Sequence, residues 1–183
     1  LLAAIAEDQG FEYELQSLGW DAAVAAVQSG QADGLIAGAS ITEERQANGW
    51  IFSDSYFDSC QIFAVAAGSD IDSFEDLAGK NVAVKNGTQG AAFAESLKDQ
   101  YGFTTTVFED SPTMYQDVIQ GNSVACVEDK PIIQDWIVSK GLALKTVDTM
   151  ESDPAPYGFA IMNEANQPLL DMFNAGLADI KAN

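Results

Sequence analysis

The sequence predicts an α/β protein with largely parallel sheets. Short apolar segments that are typical of buried strands alternate with helical segments along most of the 183 residues. Glycines follow the first helical segments at Gly10 and Gly30, where helices commonly end. Because 47% of the residues are hydrophobic, the chain can bury a core as one domain or as two small lobes. Strands and helices that alternate in this way favour sheets covered by helices.

The first part of the chain supplies two helices and three extended segments. Residues 1–10 predict a helix that ends at Gly10, and WDAAVAAVQSG predicts a second helix that begins at Trp20 and ends at Gly30. The predicted extended segments are FEYEL at 11–15, GLIAG at 34–38 and the long run SYFDSCQIFAVAAG at 55–68.

The rest of the chain continues the alternation. Ser73 and Asp76 have the spacing of a capping box at the start of the short helix SFEDLAG. The predicted elements that follow are strand 81–85, helix 90–101, strand 104–108, helix 111–120, strand 123–127, helix 130–139 and strand 143–145. The polar, Pro-rich stretch 151–158 leads into the strand YGFAIM and a last helix after Pro168, and we interpret it as a second crossover.

Charge and cysteine content exclude several classes of function. The formal net charge of −20 opposes binding to nucleic acid and to anionic membranes. No apolar run approaches the ~20 residues that span a bilayer, so we expect no membrane insertion by this segment, and LLAAIAEDQG lacks the features of a signal peptide. Two cysteines cannot build a cysteine-cluster zinc site, and we expect neither a metal nor a cofactor.

Two segments of the sequence share one plan. Residues 25–38 and 117–129 each read as a helix, a glycine stop, an apolar strand and a polar loop. Ligands of open α/β sheets bind at the carboxyl ends of strands, so the loops after residues 37 and 127 are the candidate site. The first loop carries Arg45 and the second carries Asp129.

Three ordered motifs resemble a known family. GASITEERQANGWIFSDSYFDS, VAVKNGTQG and VACVEDKPI are similar to segments of the extracellular amino-acid-binding proteins of ABC transporters, which have the type II periplasmic-binding fold. The resemblance covers essentially the whole chain and is closest to binders of glutamine and other polar amino acids. It implies two lobes, joined by two crossing strands, that close over the ligand.

The resemblance also implies boundaries. Lobe 1 would comprise 1–56 with 157–183, and lobe 2 would comprise 60–152, with hinges at about 56–60 and 152–157. The family's first strand would precede Leu1, and its terminal helices would follow Asn183.

The resemblance implies that a cation binds the carboxylate of an α-amino acid and an anion binds its ammonium group. Arg45 and Asp129 fit these two roles. A guanidinium holds a carboxylate through two parallel hydrogen bonds, which lysine cannot match. The alternative for Arg45 is a surface arginine paired with Glu43 or Glu44. Asp129 would accept a hydrogen bond from the ligand ammonium. Its alternative role is the N-cap of the helix that contains Pro131, and the two roles are compatible.

The resemblance gives the remaining candidate ligand contacts. Ser40 and the Gly38 carbonyl would assist Asp129, and Thr88 with the backbone N–H of Gln89 would bind the ligand carboxylate at a helix start. Two further positions have strong alternatives. Trp20 would lie against the ligand or in the core, and Lys85 would reach the ligand side chain or remain solvated.

Three functions compete at this stage. The first is a monomeric receptor, extracellular or periplasmic and held at the membrane by segments outside this chain, that delivers an amino acid, preferably glutamine, to the permease of an ABC transporter. The second is the sensing domain of a membrane receptor. The third is an enzyme similar to cyclohexadienyl dehydratase, but the chain has no histidine and no carboxylate pair that its spacing singles out.

The two cysteines leave a disulfide open. Cys60 lies near the start of the long extended run, and Cys126 lies in a strand that this fold would place beside it. The sequence does not decide between a Cys60–Cys126 disulfide and two thiols.

Overall fold

The computed structural model of the protein describes residues 1–182. The chain divides into two compact units, Leu1–Asp58 with Ala155–Asn183 and Ser59–Pro154. The chain therefore passes from one unit to the other twice. The predicted hinges at about 56–60 and 152–157 stay a prediction, since a hinge is defined by motion.

The first unit holds a three-stranded antiparallel sheet with helices. Its elements are α1 (Leu2–Gln9), α2 (Trp20–Gln28), β1 (Leu35–Ser40), α3 (Glu43–Ala47), β2 (Ile51–Phe52), and the C-terminal strand and helix β8 (Tyr157–Ile161) and α7 (Gln167–Ala182). The strand order is β1-β8-β2. Helix α1 ends as predicted, because Gly10 adopts φ 70 and its N–H donates to the carbonyl of Ala6. Ile5, Phe159 and Phe173 lie in one buried cluster of this unit.

The second unit is built on a five-stranded mixed sheet. Its elements are β3 (Gln61–Ala66), a short 3-10 helix (Phe74–Leu77), β4 (Asn81–Lys85), α4 (Gln89–Tyr101), β5 (Thr104–Phe108), α5 (Ser111–Ile119), β6 (Ala125–Asp129), α6 (Lys130–Lys140) and β7 (Leu144–Glu151). The strand order is β5-β4-β6-β3-β7. Strand β4 runs parallel to β5 and β6, whereas β3 runs antiparallel to β6 and β7.

Strand β3, which lies between β6 and β7, shows how this unit forms its core. Every residue from Gln61 to Val65 is buried. Ile62 and Ala64 belong to one apolar cluster, and Phe63 with Val65 belongs to the other. Successive side chains of a strand point to opposite faces of the sheet, so β3 packs into a core on each face.

Most predicted elements are confirmed, and strands β4 and β5 have the predicted bounds. The capping box is also confirmed: the Ser73 and Asp76 side chains each bond the other's backbone. Two predictions are wrong. FEYEL is not a strand, because residues 12–19 are exposed and no ladder includes them. The sheets are not largely parallel either, because β8 and β3, which follow the crossovers, pair antiparallel with their neighbours.

The cysteines are free thiols. The strands β3 and β6 are neighbours, as the resemblance implies, but Cys126 lies opposite Ala64, four residues beyond Cys60. At ~3.3 Å per residue this separation is about 13 Å, well beyond the ~4.4–6.8 Å between α-carbons that a disulfide needs. Burial raises the pKa of both thiols, and neither is a reactive thiolate.

Candidate functional site

The guanidinium of Arg45 is buried in the first unit. Helix α3 begins after Thr42, whose side chain accepts a hydrogen bond from the Arg45 N–H at 3.2 Å. Arg45 is 8% exposed, and its guanidinium carbon lies 5.1 Å from the ring centroid of Trp20 and 5.0 Å from that of Trp50. Its Nη1 donates to the carbonyl of Ser40 at 2.9 Å. Arg45 is therefore not at the surface, as the alternative of a surface arginine paired with Glu43 or Glu44 requires.

The strand before Arg45 is held closely by aromatic residues. Gly38 adopts φ 67, and a β-carbon there would lie 3.3 Å from the ring of Tyr157. The N–H of Gly38 donates to the hydroxyl of Tyr56 at 3.1 Å. Ser40 is 2% exposed. This packing fixes the end of β1, from which the Ser40 carbonyl orients the guanidinium.

Trp20 is half-buried and packs against Trp50, with ring centroids 6.4 Å apart. A cation beside a tryptophan face is stabilised by the ring quadrupole, most strongly where water is excluded. Trp20 therefore contributes to the apolar surroundings of Arg45. Its contact with a ligand stays a prediction.

The start of α4 forms the first candidate group of the second unit. Thr88 is the N-cap, and its hydroxyl accepts from the N–H of Ala91 at 3.2 Å while donating to the carbonyl of Lys85 at 2.7 Å. The Thr88 hydroxyl thus caps the start of α4. No acidic side chain occupies the first turn of α4, so the partial positive charge of Gln89 and its neighbours suits an anion.

Lys85 lies in a charged cluster that the sequence reasoning missed. Its ammonium donates to Ser111 Oγ at 2.7 Å and to Glu128 Oε2 at 3.2 Å. Glu128 is 4% exposed and also accepts from Ser111 at 2.7 Å and from the Tyr115 hydroxyl at 3.0 Å. The alternative of a solvated lysine is therefore wrong. An acid inside the apolar segment VACVED is the signal that could have revealed this cluster.

The buried hydroxyl of Tyr115 is fixed by the same cluster. Burial, together with the negative charge of Glu128, raises the pKa of Tyr115, so the hydroxyl remains a donor. Its ring packs edge-on against Trp136, with centroids 5.5 Å apart. Tyr115 is one of the hydrogen-bond donors that stabilise the desolvated Glu128 carboxylate.

We expect Tyr115→Phe to lower the free energy of unfolding by ~1–3 kcal/mol. The substitution keeps the ring packing and removes one of the donors to the buried Glu128 carboxylate. Urea denaturation measures the change. Tyr101→Phe is the matched control, since that ring packs against Phe74 in the same unit and its hydroxyl, among residues 1–182, makes no comparable buried bond to a carboxylate. Equal losses in both variants would contradict the role of the hydroxyl.

Asp129 is at the N-cap position of α6 but does not cap it. Its backbone has φ −62 and ψ 126, and its side chain makes no cap hydrogen bond. Instead its carboxylate accepts from Gln61 Nε2 at 2.5 Å. The alternative role as a capping side chain is therefore not what the structure shows.

The fold brings the candidates of each unit together. Lys85 ends β4 and Asp129 ends β6, and these parallel strands are neighbours, so both residues lie at the same edge of the sheet. The start of α4 follows Lys85 directly. In the first unit Arg45 lies with Trp20 and Ser40. Each unit therefore has its own cluster of candidate ligand-binding residues.

The whole chain, residues 1–183, matches the family of bacterial extracellular solute-binding proteins, family 3. The chain belongs to this family. The resemblance and the fold class inferred from the three motifs are thereby confirmed. Among residues 1–182, no helix of this solute-binding protein is long and apolar enough to cross a membrane.

Similar proteins support the family assignment. The second substrate-binding domain of a protein assigned as an amino acid ABC transporter, from Streptococcus pneumoniae Canada MDR_19A, is 43% identical with a TM-score of 0.66; the match covers 100% of this chain and 81% of that one. An ancestral arginine-binding protein, solved bound to arginine and bound to glutamine, is 32% identical with a TM-score of 0.87, covering 100% of this chain and 80% of that one.

A curated relative has a similar description. The arginine-binding extracellular protein ArtP of Bacillus subtilis (strain 168) is 29% identical over 189 residues, which cover 100% of this solute-binding protein and 71% of ArtP. These similar proteins are binding proteins.

Proposed function

We propose that this solute-binding protein binds a free amino acid and presents it to the permease of an ABC transporter. The observation that carries the proposal is the buried Arg45 guanidinium, held against Trp20 and Trp50 in a chain of formal net charge −20. A desolvated and oriented guanidinium suits a ligand carboxylate. The names of similar proteins, which bind arginine or glutamine, support the same class of ligand.

The carboxylate and the ammonium of the ligand would be bound by different residues. Arg45 would bind the carboxylate, assisted by the N–H groups at the start of α4 near Thr88 and Gln89. Asp129 would accept from the ammonium, assisted by Ser40 and the Gly38 carbonyl. Every α-amino acid has both charged groups, so these contacts define the class of ligand. Other residues would have to recognise the ligand side chain.

We further propose glutamine as the preferred ligand. The Lys85 ammonium can donate a further hydrogen bond, whereas the Glu128 carboxylate is buried and already accepts from Lys85, Ser111 and Tyr115. A carboxamide oxygen accepts from Lys85 without bringing a second negative charge beside that carboxylate, as the side chain of glutamate would. The overall negative charge also disfavours glutamate, although salt screens the distant part of that field within ~8–10 Å.

Arginine is the second candidate ligand. Because the Lys85 charge is paired with Glu128, Lys85 repels a cationic ligand less than an unpaired lysine would. Similar proteins are named for arginine. Against arginine, a guanidinium only donates, and the Lys85 ammonium only donates as well.

We expect competition calorimetry to rank glutamine above arginine, leucine and glutamate at neutral pH. The affinity for glutamate should rise as the pH falls towards its side-chain pKa of ~4.3, because protonation removes the negative charge of that side chain. The affinity for glutamine should not change over the same range. Tighter binding of arginine would replace glutamine as the ligand, and no binding of any amino acid would contradict the proposed function itself.

We propose binding without chemistry, so a bound amino acid should be recovered unchanged by mass spectrometry. Conversion of the ligand to a product would favour the enzyme alternative. Stimulation of an ABC permease by the ligand-loaded protein would separate transport from sensing.

A further inference from the structure

Gln61 connects Asp129, at the end of β6, to the neighbouring strand β3. Gln61 is the first residue of β3 and lies directly opposite Asp129 in the antiparallel β3–β6 ladder. Residues opposite each other in such a ladder have side chains on the same face. The Gln61 side-chain nitrogen Nε2 donates to Asp129 Oδ1 at 2.5 Å.

The backbone of Gln61 is itself fixed. Its N–H donates to Ser152 Oγ at 2.9 Å, and its carbonyl accepts from the N–H of Ser152 at 2.9 Å. Gln61 is only 3% exposed, whereas Asp129 is half-buried. The rigidly held Gln61 amide therefore restricts the orientation of the Asp129 carboxylate, which solvent or a ligand can reach.

The helix that follows Asp129 does not orient its side chain through a cap hydrogen bond. At the starts of α3, α4 and α5, the side chains of Thr42, Thr88 and Asp110 accept hydrogen bonds from backbone N–H groups of their helices. Asp129 makes no such bond at the start of α6. The Gln61 amide is a buried donor that orients the Asp129 carboxylate.

The oxygen of the Gln61 amide lies in a confined, buried place beside Gly90. This oxygen, Oε1, has no hydrogen-bond partner among residues 1–182. A β-carbon on Gly90 would lie 3.2 Å from this oxygen and 3.0 Å from the carbonyl oxygen of Val127, so Gly90 leaves it just enough room. Turning the amide over would place Oε1 against the Asp129 carboxylate, where two acceptors repel each other.

A buried carbonyl oxygen without a partner lowers stability. Methionine has nearly the same shape as glutamine and would avoid this loss. The amide at position 61 therefore contributes orientation to Asp129 rather than stability to the fold.

We propose that Gln61 is a positioning residue that directs the Asp129 carboxylate at the ammonium group of the ligand. This proposal rests on the proposed function. It assigns to Gln61 an action through Asp129, so Gln61 need not touch the ligand.

Gln61→Met tests the proposal by separating affinity from stability. Isothermal titration with L-glutamine and with L-arginine should show about tenfold weaker binding or more for the ligand that the wild type prefers, the worth of one hydrogen bond to a charged group. The Tm should stay unchanged or rise, because the unpartnered oxygen is gone. In an Asp129→Ala background the same substitution should have little further effect on affinity.

Gln61→Glu supplies a pH profile that a purely structural role would not produce. Two carboxyl groups at this distance cannot both ionise easily, so the pKa of the introduced carboxyl is raised. Below that pKa its O–H donates to Asp129 as the amide does, and affinity approaches that of the wild type near pH 5. Above it the carboxylates repel each other, and affinity falls towards pH 8, while the affinity of the wild type stays level.

Controls make each outcome decisive. Val82→Ala, in the apolar core of the same unit, should lower Tm and leave affinity unchanged. If Gln61→Met lowers Tm as Val82→Ala does, or binds within twofold of the wild type while Asp129→Ala binds weakly, the proposal is overturned. If the wild type binds neither amino acid, the proposed function fails, and the NMR signals of the Gln61 side-chain amide in the ligand-free protein still decide whether it bonds Asp129. Those signals should shift in Asp129→Ala, and unchanged signals would overturn the positioning role.

Discussion

Arg45→Ala is expected to weaken ligand binding by roughly 30-fold to several thousand-fold. The ligand carboxylate would be desolvated without its strongest partner, and removing one member of a buried charged pair typically costs ~2–5 kcal/mol. Arg45 is 8% exposed and oriented by the Ser40 carbonyl, so water cannot easily replace it. Isothermal titration with glutamine measures the loss.

Two further variants sharpen this test. Arg45→Lys keeps the charge and should also bind poorly, because an ammonium cannot form two parallel bonds to a carboxylate. Lys140→Ala removes an exposed cation at the end of α6 and should leave affinity unchanged. A loss of less than threefold in Arg45→Ala would show that Arg45 does not bind the ligand. The circular dichroism spectra of both Arg45 variants should match that of the wild type, which would show that folding does not need the contacts of Arg45 with Trp20 and Trp50.

Lys85→Met is expected to lower the free energy of unfolding by ~3–5 kcal/mol. The substitution leaves the Glu128 carboxylate, which is 4% exposed, without its cation, and breaking a buried ion pair from one side is strongly destabilising. Ser111 and Tyr115 remain as neutral donors, so we expect a loss near the lower end of this range. Urea denaturation followed by circular dichroism measures it.

A double-mutant cycle identifies the cause of that loss. Glu128→Gln added to Lys85→Met removes the uncompensated charge and should restore part of the stability. The surface pair Lys98–Glu95 on α4 is the matched control, since surface ion pairs contribute little to stability, and Lys98→Met should change the free energy of unfolding far less than Lys85→Met does. Equal effects of Lys85→Met and Lys98→Met would contradict the buried pair.

Local patterns in the sequence were sufficient for most helices and strands. Gly10 ends α1 and the Ser73–Asp76 capping box begins the short 3-10 helix, because such signals act within a few residues of the chain. The motifs around Arg45, Lys85 and Asp129 likewise predicted the family without any tertiary information. Whether Lys85 and Asp129 contact a ligand stays a prediction.

Contacts between distant segments were decided only by the tertiary structure. FEYEL has the composition of a strand, but a strand also needs a neighbour with which to exchange hydrogen bonds, and the sequence does not show whether one is present. The direction of β3 and β8 depends on how the chain crosses between the two units. The pairing of Lys85 with Glu128 and of Gln61 with Asp129 depends on which strands become neighbours and in which register. Sequence by itself determined which residues are chemically able to bind an amino acid; strand order and register decided which of them lie buried together, because burial and hydrogen-bond partners come from segments far apart in the chain.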